Sequence, residues 1–322
     1  SSRVYLELFF IYFNMKENIL YAYHLNIENI KEYNEYSVFE FNEKSYYFTK
    51  VKRSKEEFQE LLDVISELEQ KKIPIFSFIA NINGSFITMV NNEAYVLVEV
   101  DNPLHEYSLT DILERNQKVI LNAKKNSLYR NEWGRLWSEK IDYLEYQVFE
   151  MGKKYPIILN SFSYFVGLAE NAVCYVNNAT KIAHPINIPI VLSHKRITFP
   201  NFRLNYDNPL NFIFDLEVRD IAEYLKNMVF KEDSLPLIEL KAFIELRHPD
   251  LYSLSMLYAR LLYPSYYFDL HEKIINKDEN EEELLPIIDA IPKQEKFLKE
   301  AWYLIRNYAP IEGIEWIIKK EL

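Results

Sequence analysis

The chain has 322 residues, enough for two lobes around sizeable cores, and its 49% hydrophobic and 26% charged residues are ordinary for a globular protein. A formal charge of −11 argues against nucleic acid as a partner, because phosphate binding needs Lys and Arg to displace counterions, and the basic cluster Lys50 to Lys55 is too short to reverse that. A single cysteine, Cys174, excludes disulfides within the chain and multi-cysteine metal sites.

The apolar run Val4 to Phe13 carries Glu7 and is too short to span a bilayer. It lacks a small-residue cleavage site, so it reads as a packing element or an upstream extension and predicts no secretion signal. From about Leu25 to Val100 the pattern is strands separated by turns, with one helix inserted. Ser37 to Asn42 and Lys44 to Lys52 are rich in aromatic and β-branched residues, which predicts a hairpin through Asn42-Glu43. Ser54 is an N-cap for a helix over Lys55 to Lys71, with Phe58, Leu61, Leu62, Ile65 and Leu68 on one face. Ile75 to Ile82 and Phe86 to Val90 flank Asn83-Gly84, a hairpin signal, and Ala94 to Val100 follows.

After Asp101 to Glu106, which reads as a hinge, the pattern turns helical. Ser108 and Asp111 form a capping box for a helix to about Lys125. Between Asn131 and Lys153, Trp133, Trp137, Ile141, Leu144, Val148 and Met151 recur at helical spacing, which makes both tryptophans core residues. Phe162 to Asn178 is a further helix, and the apolar neighbours of Cys174 within it predict a buried structural thiol. Later helices run over Leu235 to Arg247, Leu251 to Leu262, Ser265 to Asn276 and from Glu281 onward. The acidic stretch Lys277 to Glu283 reads as a solvated loop.

The most informative stretch is Ile188 to Leu225, IPIVLSHKRITFPNFRLNYDNPLNFIFDLEVRDIAEYL, with two short apolar strands, a polar loop and a helix start. It resembles the centre of aminoglycoside and choline phosphotransferases. His194 matches the loop histidine, Asn201, seven residues on, the metal-binding asparagine, Asp215 the metal-binding aspartate, and Arg219-Asp220-Ile221-Ala222 the helix start. The resemblance implies an α+β, two-lobed protein-kinase-like fold, with an antiparallel small lobe over residues 1–102 and a mainly helical lobe over 103–322. Within it Lys50 resembles the strand lysine that holds nucleotide phosphates, with Lys52 as a near alternative and Glu60, Glu56 or Glu57 as helix partner. Glu99 and Val100 fall where such folds offer backbone groups to adenine.

Two departures are as informative. The glycine and aspartate expected after His194 are Lys195 and Arg196, and an arginine, always protonated and without an acceptor, cannot act as base. The segment Lys31 to Phe41, which would cover the phosphates, has no glycine and carries Tyr33 and Tyr36. With the base gone, the sequence predicts that Arg196 pairs with Asp215 in place of a metal ion. Asp207, Glu217 and Asp220 are the acids that could serve as a displaced base.

Tyr46 to Lys50, Tyr95 to Glu99, Arg219 to Leu225 and Leu262 to Phe268 together resemble the spore-coat kinase-like proteins of endospore-forming bacteria, the CotS and YutH type. That resemblance implies a coat or coat-assembly protein, and with Arg196 and the glycine-free segment it predicts a catalytically degenerate kinase fold, a pseudokinase. It would be made in the mother-cell cytoplasm, deposited on the spore coat and partnered by other coat proteins, with no membrane span and no required cofactor. ATP and Mg²⁺ would enter only if a vestigial site survived at Lys50, Glu99 and Val100 for nucleotide and at Asn201 and Asp215 for metal. The alternatives are an ATP-dependent small-molecule phosphotransferase with a displaced base and a non-catalytic nucleotide sensor.

Overall fold

Residues Tyr36 to Lys50 are rich in aromatic and β-branched side chains and fold as the expected hairpin of β2 (Tyr36–Phe41) and β3 (Lys44–Lys50), in which burial alternates, with Ser37, Phe39, Tyr46 and Phe48 the buried positions. Asn42 and Glu43 join them with φ of 50° and 64°, the left-handed pair that matches strand twist. The computed structural model describes residues 15–33, 36–100, 107–119, 127–130, 132–182, 188–197, 206–231, 235–277 and 279–319. The chain divides into one unit of residues 1–106 with 207–210, and a second of 107–206 with 211–322.

In the first unit β1 (Lys31–Glu32) borders β2, and β6 (Glu93–Val100) borders β3. β4 (Ser77–Ile79) and β5 (Thr88–Val90) both pair with β6. The expected hairpin at Asn83-Gly84 is therefore not one. Asn81 Oδ1 accepts from the backbone N–H of Asn83 and Ser85, making a local turn with Gly84 at φ 75°, while the hairpin turn is Asn91-Asn92 at 50° and 64°. Strand register puts Phe39, Tyr46, Phe48, Tyr95 and Leu97 on one face, where Ile19 and Tyr23 of α1 (Met15–Tyr23) pack. That helix lies just before the expected strand region, and the Val4 to Phe13 run lies outside the described residues. The opposite face carries Phe78, stacked at 5.9 Å on Phe58 of α2 (Lys55–Gln70). Ser54 caps α2 as expected, its Oγ accepting from Glu57 N at 3.1 Å. Residues 207–210 join this unit through Phe76 N to Asp207 O and the Arg53 guanidinium to Leu210 O.

The second unit is helical around a two-stranded ribbon, β7 (Ile190–His194) with β8 (Phe212–Leu216). α3 (Leu109–Lys118) opens on the expected capping box, Ser108 Oγ accepting from Asp111 N and Asp111 Oδ2 from Ser108 N, and ends at Lys118, short of the expected Lys125. α4 (Trp133–Met151) is followed by α5 (Pro156–Ile182), which begins earlier than expected. Glu281 explains the start: its carboxylate accepts from Ile157 N and Ile158 N, so the acidic stretch read as a solvated loop caps a helix. By length and composition α5 could cross a membrane; its buried residues Phe165, Leu168, Ala169 and Ala172 lie in this unit's core. Cys174, expected to be buried, is exposed. α6 (Val218–Lys231), α7 (Leu235–Arg247), α8 (Leu251–Leu262), α9 (Ser265–Lys277), α10 (Leu285–Asp289), α11 (Ile291–Ile305) and α12 (Glu315–Ile318) complete it. Tyr263 and Tyr267, at the α8–α9 junction, are core residues.

Candidate functional site

The ribbon brings the ends of β7 and β8 together, with His194 opposite Phe212 and Val191 opposite Asp215, and α6 starts three residues after Asp215. His194 is buried, its ring stacked on Tyr206 at 4.5 Å. Nδ1 meets Asp220 Oδ2 at 2.6 Å, Nε2 meets the Tyr206 carbonyl at 2.8 Å, and the backbone N–H donates to Asp220 Oδ1. Both ring nitrogens thus face oxygen atoms, one of the Asp220 carboxylate and one of the Tyr206 carbonyl. Asp220 sits in the first turn of α6, where the positive helix end favours a carboxylate, and it fixes the end of β7 there.

Asp215 is wholly buried and its carboxylate is fully engaged. Oδ2 accepts from Arg219 Nη1 at 2.6 Å and from Trp133 Nε1 at 2.9 Å, and Oδ1 from Leu216 N at 2.7 Å. Arg219 also donates from Nε to the His194 carbonyl and from Nη2 to the Lys195 carbonyl. One guanidinium therefore ties the acid of β8 to the backbone leaving β7. Burial pushes Asp215 up and Arg219 down to about 10, and their contact opposes both shifts.

The expected Arg196–Asp215 pair does not form. Arg196, expected from the sequence resemblance at the base position, instead grips Asp269 of α9, Nε to Oδ2 at 2.6 Å and Nη2 to Oδ1 at 2.9 Å, with both side chains partly exposed. The cation at Asp215 comes from four residues along the same turn, and the helix start that identified the motif supplies it. Glu217 is paired with Arg247, and Asp207 is buried in the first unit. Asn201 lies outside the described residues.

A second buried cluster adjoins the first. Glu223 of α6 accepts from Lys226 at 3.0 Å and from Arg260 of α8 at 2.8 Å, and Lys226 also donates to the Tyr263 carbonyl and Ser265 Oγ. Arg260 lies 4.8 Å over the Trp133 ring whose N–H serves Asp215. Burial raises Glu223, but Lys226 and Arg260 outweigh it and hold the carboxyl at about 2; Lys226, buried and beside a second cation, falls to about 8. Trp133, Glu223, Lys226, Arg260 and Asp269 were not foreseen as site residues, because they come from four helices and nothing in their spacing joins them.

In the first unit Lys50 ion-pairs with Glu93 at the start of β6, and register places Lys50 on the face that α1 covers. Glu99 lies between Tyr46 and Ser77 and accepts from Lys44 Nζ at 2.6 Å and Tyr46 OH at 2.9 Å. Val100 ends the same strand opposite Ser45. Tyr33 and Tyr36 stack at 4.7 Å, exposed, in the glycine-free segment.

Solved structures share this architecture. An aminoglycoside phosphotransferase from Alicyclobacillus acidocaldarius aligns over 89% of this chain and 95% of its own with a TM-score of 0.59 at 10% identity. Spectinomycin phosphotransferase APH(9)-Ia, in complex with ADP and spectinomycin, aligns over 90% and 97% with a TM-score of 0.59 at 11%. The amicoumacin kinase hAmiN, in complex with AMP-PNP and Ca²⁺, aligns over 92% and 94% with a TM-score of 0.56 at 14%. The protein has the two-lobed aminoglycoside phosphotransferase-like kinase fold. Residues 16–301 match the family described as spore coat putative kinase YutH, and the chain belongs to that family. The endospore coat-associated protein YutH of Bacillus subtilis is 25% identical over 216 residues, 58% of this chain and 62% of that relative, so less than two-thirds of its length is matched.

Proposed function

We propose that this protein is a catalytically degenerate kinase-like protein that serves in the spore coat or its assembly, with other coat proteins as partners. The observation that carries the reading is Arg196. At the position that the sequence resemblance assigns to the base stands a guanidinium held in a two-pronged pair with Asp269. Arginine accepts no proton at any physiological pH, and the acid beside it is tied to that same cation. The engaged state of Asp215 points the same way, since one carboxylate oxygen already accepts from a guanidinium and an indole N–H, the other accepts from Leu216 N, and the side chain is buried, which disfavours Mg²⁺ with its bound waters. The coat assignment rests on family membership.

The test is calorimetric titration of the full chain with ATP, with and without Mg²⁺, beside Arg196→Asp, together with a fluorescent fusion followed through sporulation. The expected results are no saturable heat from the natural protein and fluorescence on the forespore surface. Saturable binding followed by single-turnover γ-phosphate release would sink the degenerate reading, and diffuse fluorescence would sink the coat role.

A further inference from the structure

We infer that Arg219 is a tethered cation that replaces a divalent metal ion at Asp215, so that the centre of the second unit is assembled without metal. Phosphotransferase folds imply Mg²⁺ at this acid, and the residues here do not fit it. Asp215 Oδ2 already has two donors within 2.9 Å, Oδ1 is taken by Leu216 N, and the side chain has no exposed surface. A hard cation needs several oxygens at 2.0–2.1 Å and keeps bound waters; entry here would require expelling a buried guanidinium that lies 2.6 Å from the oxygen.

What Arg219 does besides pairing supports a replacement role. A metal ion fixes several oxygens from different chain segments relative to one another. The Arg219 guanidinium does this with three: the carboxylate of Asp215 and the carbonyls of His194 and Lys195, at 2.6, 2.8 and 3.1 Å. Its planar fork, always charged, suits that task where lysine would not. The i, i+4 relation between Asp215 and Arg219 makes the cation part of the same strand-to-helix turn, so charge balance is complete as soon as the turn forms. This deepens the degenerate-centre reading, but it concerns Asp215 and not the base position, so either can fail alone.

The experiment uses the full chain and Mn²⁺, whose free form gives an electron paramagnetic resonance signal that binding diminishes. Wild type, Arg219→Met, Asp215→Asn and the double variant are titrated and melted with EDTA or with Mn²⁺. Wild type is expected to leave the signal unchanged and to have the same Tm in both media. Arg219→Met strands a buried carboxylate and is expected to melt on the order of 10 °C lower. It should then bind Mn²⁺ and recover part of that loss, and the double variant should neither bind nor need the ion. If Arg219→Met does not fold, recovery of Tm in the double variant still identifies counter-charge as the role, and a double variant equally unfolded overturns it. Mn²⁺ binding by wild type that Asp215→Asn abolishes would also overturn the inference. Nucleotide turnover by a wild type that binds no Mn²⁺ would overturn the degenerate-kinase reading and leave this one intact.

Discussion

The ion pairs around β8 and α6, Asp215–Arg219 and Glu223 with Lys226 and Arg260, are buried within one unit, whereas those of the sheet unit, at Lys50–Glu93 and Lys44–Glu99, lie near its surface. The difference teaches how far each unit ties its charges into its core. A buried pair costs desolvation that only close partners repay, so losing one member leaves a charge stranded at about 3–5 kcal/mol; an exposed pair contributes about 0–1 kcal/mol and is screened by salt. The helical unit therefore depends on its charges for folding, and the sheet unit does not.

The largest expected effect is at Glu223. Glu223→Gln leaves Lys226 and Arg260 facing each other with no anion, and urea unfolding should show a loss of about 3–5 kcal/mol at pH 7. The same residue sets an acid limb. Its folded pKa, about 2, lies below the unfolded value of about 4.3, so the unfolded chain takes up the proton first as pH falls. The stability it contributes is complete above about pH 5 and is lost toward pH 2, on the order of 3 kcal/mol. Wild type should fall more steeply than Glu223→Gln across that window. Parallel slopes would show that Glu223 is not held by its two cations.

A smaller effect of opposite sign is expected at His271. Its ring is buried between Phe162 and Tyr267, and neither nitrogen has a hydrogen-bond partner among the described residues. Burial, with Lys140 nearby, lowers it to about 4. Because the folded chain refuses a proton that the unfolded chain accepts, the histidine weakens the fold as pH drops from 6.5 toward 4. His271→Phe keeps the shape and removes two unsatisfied polar atoms, so it should raise stability by about 1 kcal/mol at pH 7 and by more at pH 5. A destabilised variant would mean that the ring nitrogens have a partner, such as bound water.

These cases also show how much could be read in advance. Local signals carried far: the Asn42-Glu43 turn, the Ser54 cap and the Ser108–Asp111 box each depend on side chains within a few residues of the backbone they satisfy. The His194, Asp215 and Arg219-Asp220 pattern placed the site because strand ends and a helix start fix it locally. What failed depended on three-dimensional choice. Arg196 and Arg219 were both near enough in sequence to reach Asp215, and only packing decided that one takes Asp269 of α9. Cys174 has apolar neighbours in sequence, but the side of α5 that carries it is exposed. Asn83-Gly84 is the stronger hairpin dipeptide, yet Asn91-Asn92 turns β5 into β6, because Asn81 already occupies the first turn with its own side chain.

The smallest expected effect is the one that best sharpens the contrast between the units. Lys50 is the lysine expected from the sequence resemblance to hold phosphates, and its ion pair with Glu93 is partly exposed at the lysine and exposed at the glutamate. If the sheet unit's charges are surface pairs only, Lys50→Met should leave Tm and its salt dependence unchanged within error. Tm measured with ATP and Mg²⁺ separates the readings further. A protein without a working nucleotide site gives the same Tm with and without ligand, and Lys50→Met matches it. A ligand-induced rise in wild type that Lys50→Met removes would mean that the lysine holds phosphate despite Glu93. The proposed degeneracy would then be confined to the helical unit, where Arg219 pairs with Asp215 and Arg196 with Asp269.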